Sequence, residues 1–184
     1  MNAVPRAITS AVVKVVIWII PVLLLVKIME KDGPFSYLGL RHNFITGLKW
    51  AGWGSLVFIS YFVILHFAIL DNNVDFRIGF NEWLNTILLV GLIEEIVFRG
   101  FLLRKLLDSF RFWIANTITS LLFVSIHFPI WFYKGLFEFP YILTASLTAF
   151  ILGIIFGYVY KKSGSLWSVI VIHSLYNLLV SLFY

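Results

Sequence analysis

Leu84-Asn85-Thr86-Ile87-Leu88-Leu89-Val90-Gly91-Leu92-Ile93-Glu94-Glu95-Ile96-Val97-Phe98-Arg99 sets two adjacent carboxylates and an arginine inside an apolar run. Near mid-bilayer each such charge costs roughly 2.5–3.5 kcal/mol on insertion scales, so three of them together require either chemistry or an internal network to hold them. What surrounds the run decides whether it is a membrane helix. The chain has 184 residues, 61% hydrophobic and 18% aromatic with 12% charged, and a mean hydropathy of +0.96. That is far more apolar than an ordinary soluble domain. The chain therefore reads as an all-α integral membrane protein, a polytopic transmembrane bundle of about six helices. Spans of about 20 apolar residues fall near residues 9–28, 48–70, 83–106, 112–132, 141–160 and 166–183. Residues 1–184 form one membrane domain. Only Arg6 precedes the first run, Lys14 interrupts it, and no small-x-small cleavage site follows, so it is read as a retained helix kinked at Pro21 rather than a signal peptide.

The net charge is +5, but the basic residues are dispersed over the loops and do not form the patch that nucleic-acid binding needs. They report topology instead. Lys27, Lys31, Arg41, Lys49, Arg104, Lys105, Arg111, Lys161 and Lys162 follow the first, third and fifth spans, whereas Arg6, Arg77 and Lys134 lie at the other ends. By the positive-inside rule the first group faces the cytoplasm and both termini lie outside. The chain has no cysteine, which removes thiol catalysis, disulfides and cysteine-ligated zinc.

The stretch Glu30–His42 reads as an interfacial segment anchored by its aromatic and basic residues, with a substrate-facing lip as the alternative. Asp71-Asn72-Asn73-Val74-Asp75 reads as a polar external turn, and Lys161-Lys162-Ser163-Gly164-Ser165 as a short cytoplasmic one. Ala145, Ala149, Gly153 and Gly157 are four apart and place small residues on one helical face, a pattern for close packing rather than catalysis. His66, near the external end of the second span, and His42, in a loop, are both read as interfacial.

Six polar groups in three spans do not belong in lipid. Glu95 and Arg99 are four apart and pair along one helical face, while Glu94 points about 100° away and lacks that partner. Phe123 and His127 share a face at the same spacing, as do His173 and Asn177. Depth is the stricter test. With the hairpin turn at Ser109-Phe110-Arg111, Glu94 and His127 lie about sixteen residues either side of it and so reach one level. His173 lies roughly 14 Å beyond the Gly164 turn and matches that level if the first hairpin projects about 9 Å into the cytoplasm. One buried cluster between the third, fourth and sixth helices is expected. A purely structural hydrogen-bond network is the alternative, and it would not need two carboxylates and two imidazoles.

Glu94-Glu95-Ile96-Val97-Phe98-Arg99 resembles the Glu-Glu-x-x-x-Arg motif of the type II CAAX prenyl endopeptidase and bacteriocin-processing (CPBP) intramembrane proteases. Phe123-Val124-Ser125-Ile126-His127 resembles their Phe-x-x-x-His, and His173-Ser174-Leu175-Tyr176-Asn177 their His-x-x-x-Asn. The resemblance covers about residues 80–180, with Leu38-Gly39-Leu40 a weaker echo upstream. It implies an intramembrane endopeptidase in which Glu94 and His127 activate water, His173 and Asn177 hold the oxyanion, and Glu95 and Arg99 support the site. A zinc-dependent version with Glu94, His127 and His173 as ligands stays open beside the metal-free one. So do a non-catalytic membrane immunity or regulator-binding protein and a proton or ion pathway. The expected partners are a peptide or membrane-protein substrate and the lipid bilayer. The expected location is a bacterial cytoplasmic membrane, with the cavity opening toward the cytoplasm.

Overall fold

The computed structural model describes residues 3–30, 33–70, 74 and 76–183. Among them the regular structure is helical throughout, with no strand. Helix α1 covers 3–29. Pro21 has no N–H to donate, and the turn before it widens: Val15–Ile19 is π-helical, and the Ile20 N–H bonds the Val15 carbonyl five residues back. The short helix α2 (Pro34–Tyr37) and the long α3 (44–70) follow. Helix α4 (80–107) carries the Glu94–Arg99 segment. A hairpin leads into α5 (Phe112–Ser125) and then α6 (Phe128–Tyr133), which are separated by a turn at Ile126 and His127. Helices α7 (Tyr141–Ser163) and α8 (Leu166–Phe183) complete the bundle.

Among the described residues five segments are long and apolar enough to cross a membrane: Val4–Met29, Phe44–Ala68, Phe112–Tyr133, Tyr141–Ser163 and Leu166–Phe183. Helix α4 is as long, at about 42 Å, but Glu94, Glu95 and Arg99 interrupt its apolar run. All six expected spans are therefore helices in the bundle, and the hairpin turn falls at Ser109–Arg111 as the spacing requires. Large apolar side chains such as Trp53, Val57, Leu147 and Ile151 stay exposed on the outer surface, as a lipid-facing belt must. The polar turn expected at 71–75 lies, apart from Val74, outside the described residues.

Small residues set the helix spacing. A Cβ on Gly91 of α4 would stand 2.5 Å from Ser174 Oγ and 3.0 Å from the Ser174 nitrogen on α8. A Cβ on Gly47 of α3 would meet Ser165 Oγ at 2.6 Å, and one on Gly153 of α7 would meet the Ser120 side chain of α5 at 2.8 Å. The Gly153 and Gly157 half of the small-residue stripe is thus a packing face against α5, whereas Ala145 and Ala149 line a cavity. Asn116 of α5 adds a hydrogen bond to the Ile154 carbonyl across the same contact, at 3.0 Å. Helix α1 is tied to α4 by polar contacts: Lys14 Nζ donates to the Asn85 carbonyl at 2.8 Å, and Asn85 Nδ2 donates to the Ala7 carbonyl at 2.9 Å.

The segment around α2 is neither a surface anchor nor a lip. Leu38 is fully buried and Tyr37 nearly so. Its carbonyls accept from α4, α7 and α8: Arg104 donates to Tyr37, Tyr160 to Leu38 at 3.5 Å, the Leu166 N–H to Gly39 at 3.0 Å, and Trp167 Nε1 to Leu40 at 3.0 Å. Gly39 has φ +78°, a conformation glycine reaches without strain. The segment plugs the basic end of the bundle. His42 stays exposed in this loop, 2.6 Å from Ser36 Oγ. His66 departs from its interfacial assignment: it is fully buried, its ring lying parallel to Phe62 and 4.4 Å from Phe183. An imidazole stacked between aromatic rings gains dispersion contacts that the interface would not supply.

Gly91→Val is expected to lower stability by about 1–3 kcal/mol through overpacking against Ser174, read as a lower unfolding temperature in detergent. Gly52→Ala, where nothing lies within 4 Å of the added carbon, should cause no loss.

Candidate active site

The close approach at Gly91 brings α8 against α4 one helical turn before Glu95, and His173 comes to rest on both carboxylates. Glu95 Oε1 accepts from Arg99 Nη1 at 2.8 Å and from His173 Nδ1 at 2.7 Å. A carboxylate here only accepts, so the Nδ1 proton is fixed on that side of the ring. The other nitrogen, Nε2, faces Glu94 Oε2 at 3.7 Å. Glu95 is therefore more than a partner for Arg99. One of its oxygens orients the imidazole that approaches Glu94, and the two carboxylates, expected to face apart, meet opposite nitrogens of one ring.

Beneath them Arg99 is fully buried. Its guanidinium lies 4.7 Å from the centre of the Phe123 ring and 5.4 Å from that of Phe156, and Nη2 donates to the Gly153 carbonyl at 3.2 Å. An ion paired with Glu95, sandwiched between aromatic faces and bonded to a backbone carbonyl has its charge compensated on several sides. Residues Ile96–Leu103 are π-helical, a widened stretch of a kind often met at functional positions.

His127 sits in the turn between α5 and α6. Its Nδ1 donates to the Phe123 carbonyl at 2.7 Å, leaving Nε2 as the acceptor nitrogen of the neutral ring. The rings of Phe123 and Trp131 flank it at 4.8 and 5.3 Å. Asn177, one turn beyond His173, donates one amide hydrogen of Nδ2 to the Thr86 carbonyl at 3.1 Å and keeps a second. Glu94, His127, His173 and Asn177 all line one cavity of about 740 Å³. Glu94 Oε2 makes no hydrogen bond among the described residues, and His173 Nε2 at 3.7 Å is the group it faces.

Lys14 was visible in the sequence only as an interruption of the first span. It lines a second cavity of about 200 Å³ together with Glu94, Val97 and Ile126, so α1 brings a cation to the far side of that carboxylate. Gly91 carried no signal at all in the sequence, because its role lies in the distance to Ser174.

Among the described residues no group of three His, Asp or Glu side chains is arranged to hold a metal ion. The set Glu94, His127 and His173 is not among such groups. The cavity also does not reach the basic end of the bundle. Its lining extends to Lys134, Leu136 and Tyr141, between α6 and α7, at the opposite end. The plug around Leu38 closes the basic end, which the sequence had treated as a surface loop.

A family model described as type II CAAX prenyl endopeptidase Rce1-like matches residues 76–179. No curated protein and no solved structure matches the chain.

Arg99→Ala leaves Glu95 buried without its cation and is expected to cost about 3–5 kcal/mol, seen as a lower unfolding temperature in detergent. The double variant Glu95→Leu/Arg99→Met, which removes both charges, should recover a large part of that loss in the same measurement.

Proposed function

Since the chain belongs to the type II CAAX prenyl endopeptidase Rce1-like family, and so to the intramembrane endopeptidases that act on protein substrates within the membrane, we propose that it hydrolyses a peptide bond by a glutamate and histidine mechanism. The observation that carries this reading is the convergence of Glu94, His127, His173 and Asn177 from different elements on one cavity, with Glu94 Oε2 making no hydrogen bond among the described residues.

Peptide hydrolysis needs water activated, an oxyanion held, and a proton delivered to the leaving nitrogen. Glu94 is the general base that takes a proton from water, and His127 Nε2 accepts the second hydrogen bond of that water and aims its oxygen. The water oxygen forms a bond to the scissile carbonyl carbon, and the carbonyl electrons move onto oxygen. In its imidazolium form His173 donates from both nitrogens, to Glu95 from Nδ1 and to the oxyanion from Nε2. The second amide hydrogen of Asn177 completes the oxyanion site. Collapse of the tetrahedral intermediate breaks the C–N bond, and the proton held by Glu94 passes to the leaving amine. Glu95 and Arg99 act through His173: they orient its ring and compensate its charge, and they do not touch the reacting atoms.

No step requires a metal. The substrate is a peptide or membrane-protein segment, and the setting is a bacterial cytoplasmic membrane. The buried ion pair also fits a purely structural network, and function separates the two, because such a network predicts no precursor that depends on Glu94.

Glu94→Gln, nearly isosteric, is expected to lower the hydrolysis rate by at least about 10²–10⁴-fold while protein level and unfolding temperature stay near wild type. Comparative proteomics of membrane fractions should then show an accumulating precursor, and absence of any precursor across growth conditions would count against proteolysis. Asn177→Ala should lower kcat by about 10²–10³-fold, and a membrane-permeant chelator should leave wild-type activity unchanged. Loss of activity that zinc restores would overturn the metal-free scheme.

A further inference from the structure

At one corner of the basic end, where the start of α5 packs against the last turn of α7, the chain places Arg111, Lys161 and Lys162. Lys161 Nζ lies 4.1 Å from the centre of the Phe112 ring, and Lys162 Nζ 5.6 Å from that of Tyr158. Trp113 stacks on Tyr158, with the ring centres 6.0 Å apart and the planes 9° from parallel. All three cations are exposed, and among the described residues no carboxylate pairs with any of them. Glu30 and Asp108 both pair with Lys105 instead. The corner thus holds three positive charges on an aromatic frame and no anion.

A ring face attracts an ammonium group but supplies no oxygen for its three N–H donors. Phe112 and Tyr158 therefore position the two lysines without satisfying them. The start of α5 adds to the positive field: Arg111 is extended, no side chain caps the helix, and the first N–H groups point out of its end. Away from the basic end the surface turns apolar. Ile114 and Leu121 of α5 and Ile151 and Ile155 of α7 are all exposed on these membrane-spanning helices. An occupant that matches both parts carries an anion at the water boundary and hydrocarbon below it. Phospholipids with a net negative headgroup have that form, and basic pockets between helices at the cytoplasmic surface are where such headgroups bind.

We propose that the corner formed by Arg111, Lys161 and Lys162 binds the headgroup of an anionic phospholipid, with the stacked Trp113 and Tyr158 rings beside its glycerol and its acyl chains along the outer surface of α5 and α7. The Lys and Arg bias of this end sets the site in the cytoplasmic leaflet. None of these residues lines the cavity that holds Glu94, so the site is separate from the candidate active site and does not depend on hydrolysis. A lipid held by both helices bridges their ends, next to the contact made by Asn116 and the Ile154 carbonyl. Binding to the folded bundle alone then raises its stability by linkage.

The test offers the full chain, purified in detergent, an equimolar mixture of phosphatidylglycerol and phosphatidylcholine with identical acyl chains, and counts the retained lipids by native mass spectrometry. The wild type is expected to retain phosphatidylglycerol in preference, and phosphatidylglycerol alone should raise its unfolding temperature. In Arg111→Gln/Lys161→Gln/Lys162→Gln the preference should fall at least about tenfold. Lys27→Gln/Arg41→Gln/Lys49→Gln removes the same charge from exposed positions at the same end and should keep the preference. Excess inorganic phosphate should not displace the lipid. Four results would each overturn the proposal: no preference in the wild type, a preference that survives loss of the three corner charges, an equal loss in both triple variants, and displacement by inorganic phosphate, which marks a site for soluble anions. If the corner triple variant does not fold, Lys161→Gln and Lys162→Gln decide separately: each should weaken the preference, while Lys161→Arg keeps it, and two glutamine variants that bind like wild type overturn the assignment.

Discussion

One carboxylate oxygen organises the centre of this protein. Glu95 Oε1 accepts from Arg99 on its own helix and from His173 on α8, with the acid and the base both fully removed from solvent and lipid. In a medium with no water to compensate charge, a buried ion must find its partners within the protein. Glu95 therefore couples helix packing to site geometry: α8 cannot shift along α4 without stripping an uncompensated charge, and the imidazole cannot rotate without losing its acceptor. That constraint is what holds His173 Nε2 toward Glu94 rather than elsewhere.

The remaining packing serves the same arrangement. Gly91 lets α4 and α8 touch one turn before Glu95, and Gly153 lets Ser120 of α5 pack against α7 while its carbonyl accepts from Arg99. Phe123 has three tasks: its ring covers the Arg99 guanidinium, its edge meets His127, and its carbonyl fixes the His127 proton on Nδ1. A motif that reads in sequence as an aromatic four residues before a histidine is thus a brace for two charged or titratable groups. The plug around Leu38 supplies the other boundary. By occupying the basic end with buried apolar side chains and satisfied carbonyls, it makes the water-accessible space asymmetric.

The six spans, the Glu95 and Arg99 pair, the shared depth of Glu94 and His127 and the small face of α7 were legible because each depends on local periodicity. Helical spacing fixes which residues share a face, and the rise per residue fixes depth once a turn is located. The dual role of Glu95 was hidden because it needs a partner 78 positions away. His66 was misassigned because hydropathy alone cannot tell a polar ring at the interface from one packed between Phe62 and Phe183. The burial of Tyr37 to Leu40 was hidden for a similar reason: its carbonyl partners lie on α4, α7 and α8, far away in sequence.

The sequence by itself determined an all-helical membrane bundle, its candidate orientation, and three spans bearing carboxylates, imidazoles and an amide at compatible depths. Apolar length, charge bias and helical period are properties of contiguous residues, so they can be read along the chain. Only the tertiary structure decided that one imidazole bridges both glutamates, that no zinc ligand set is assembled among the described residues, and that the cavity is sealed at the basic end. Those outcomes depend on interhelical distances set by Gly91, Gly153 and the Leu38 plug, and a distance between helices is not encoded in the period of any one of them.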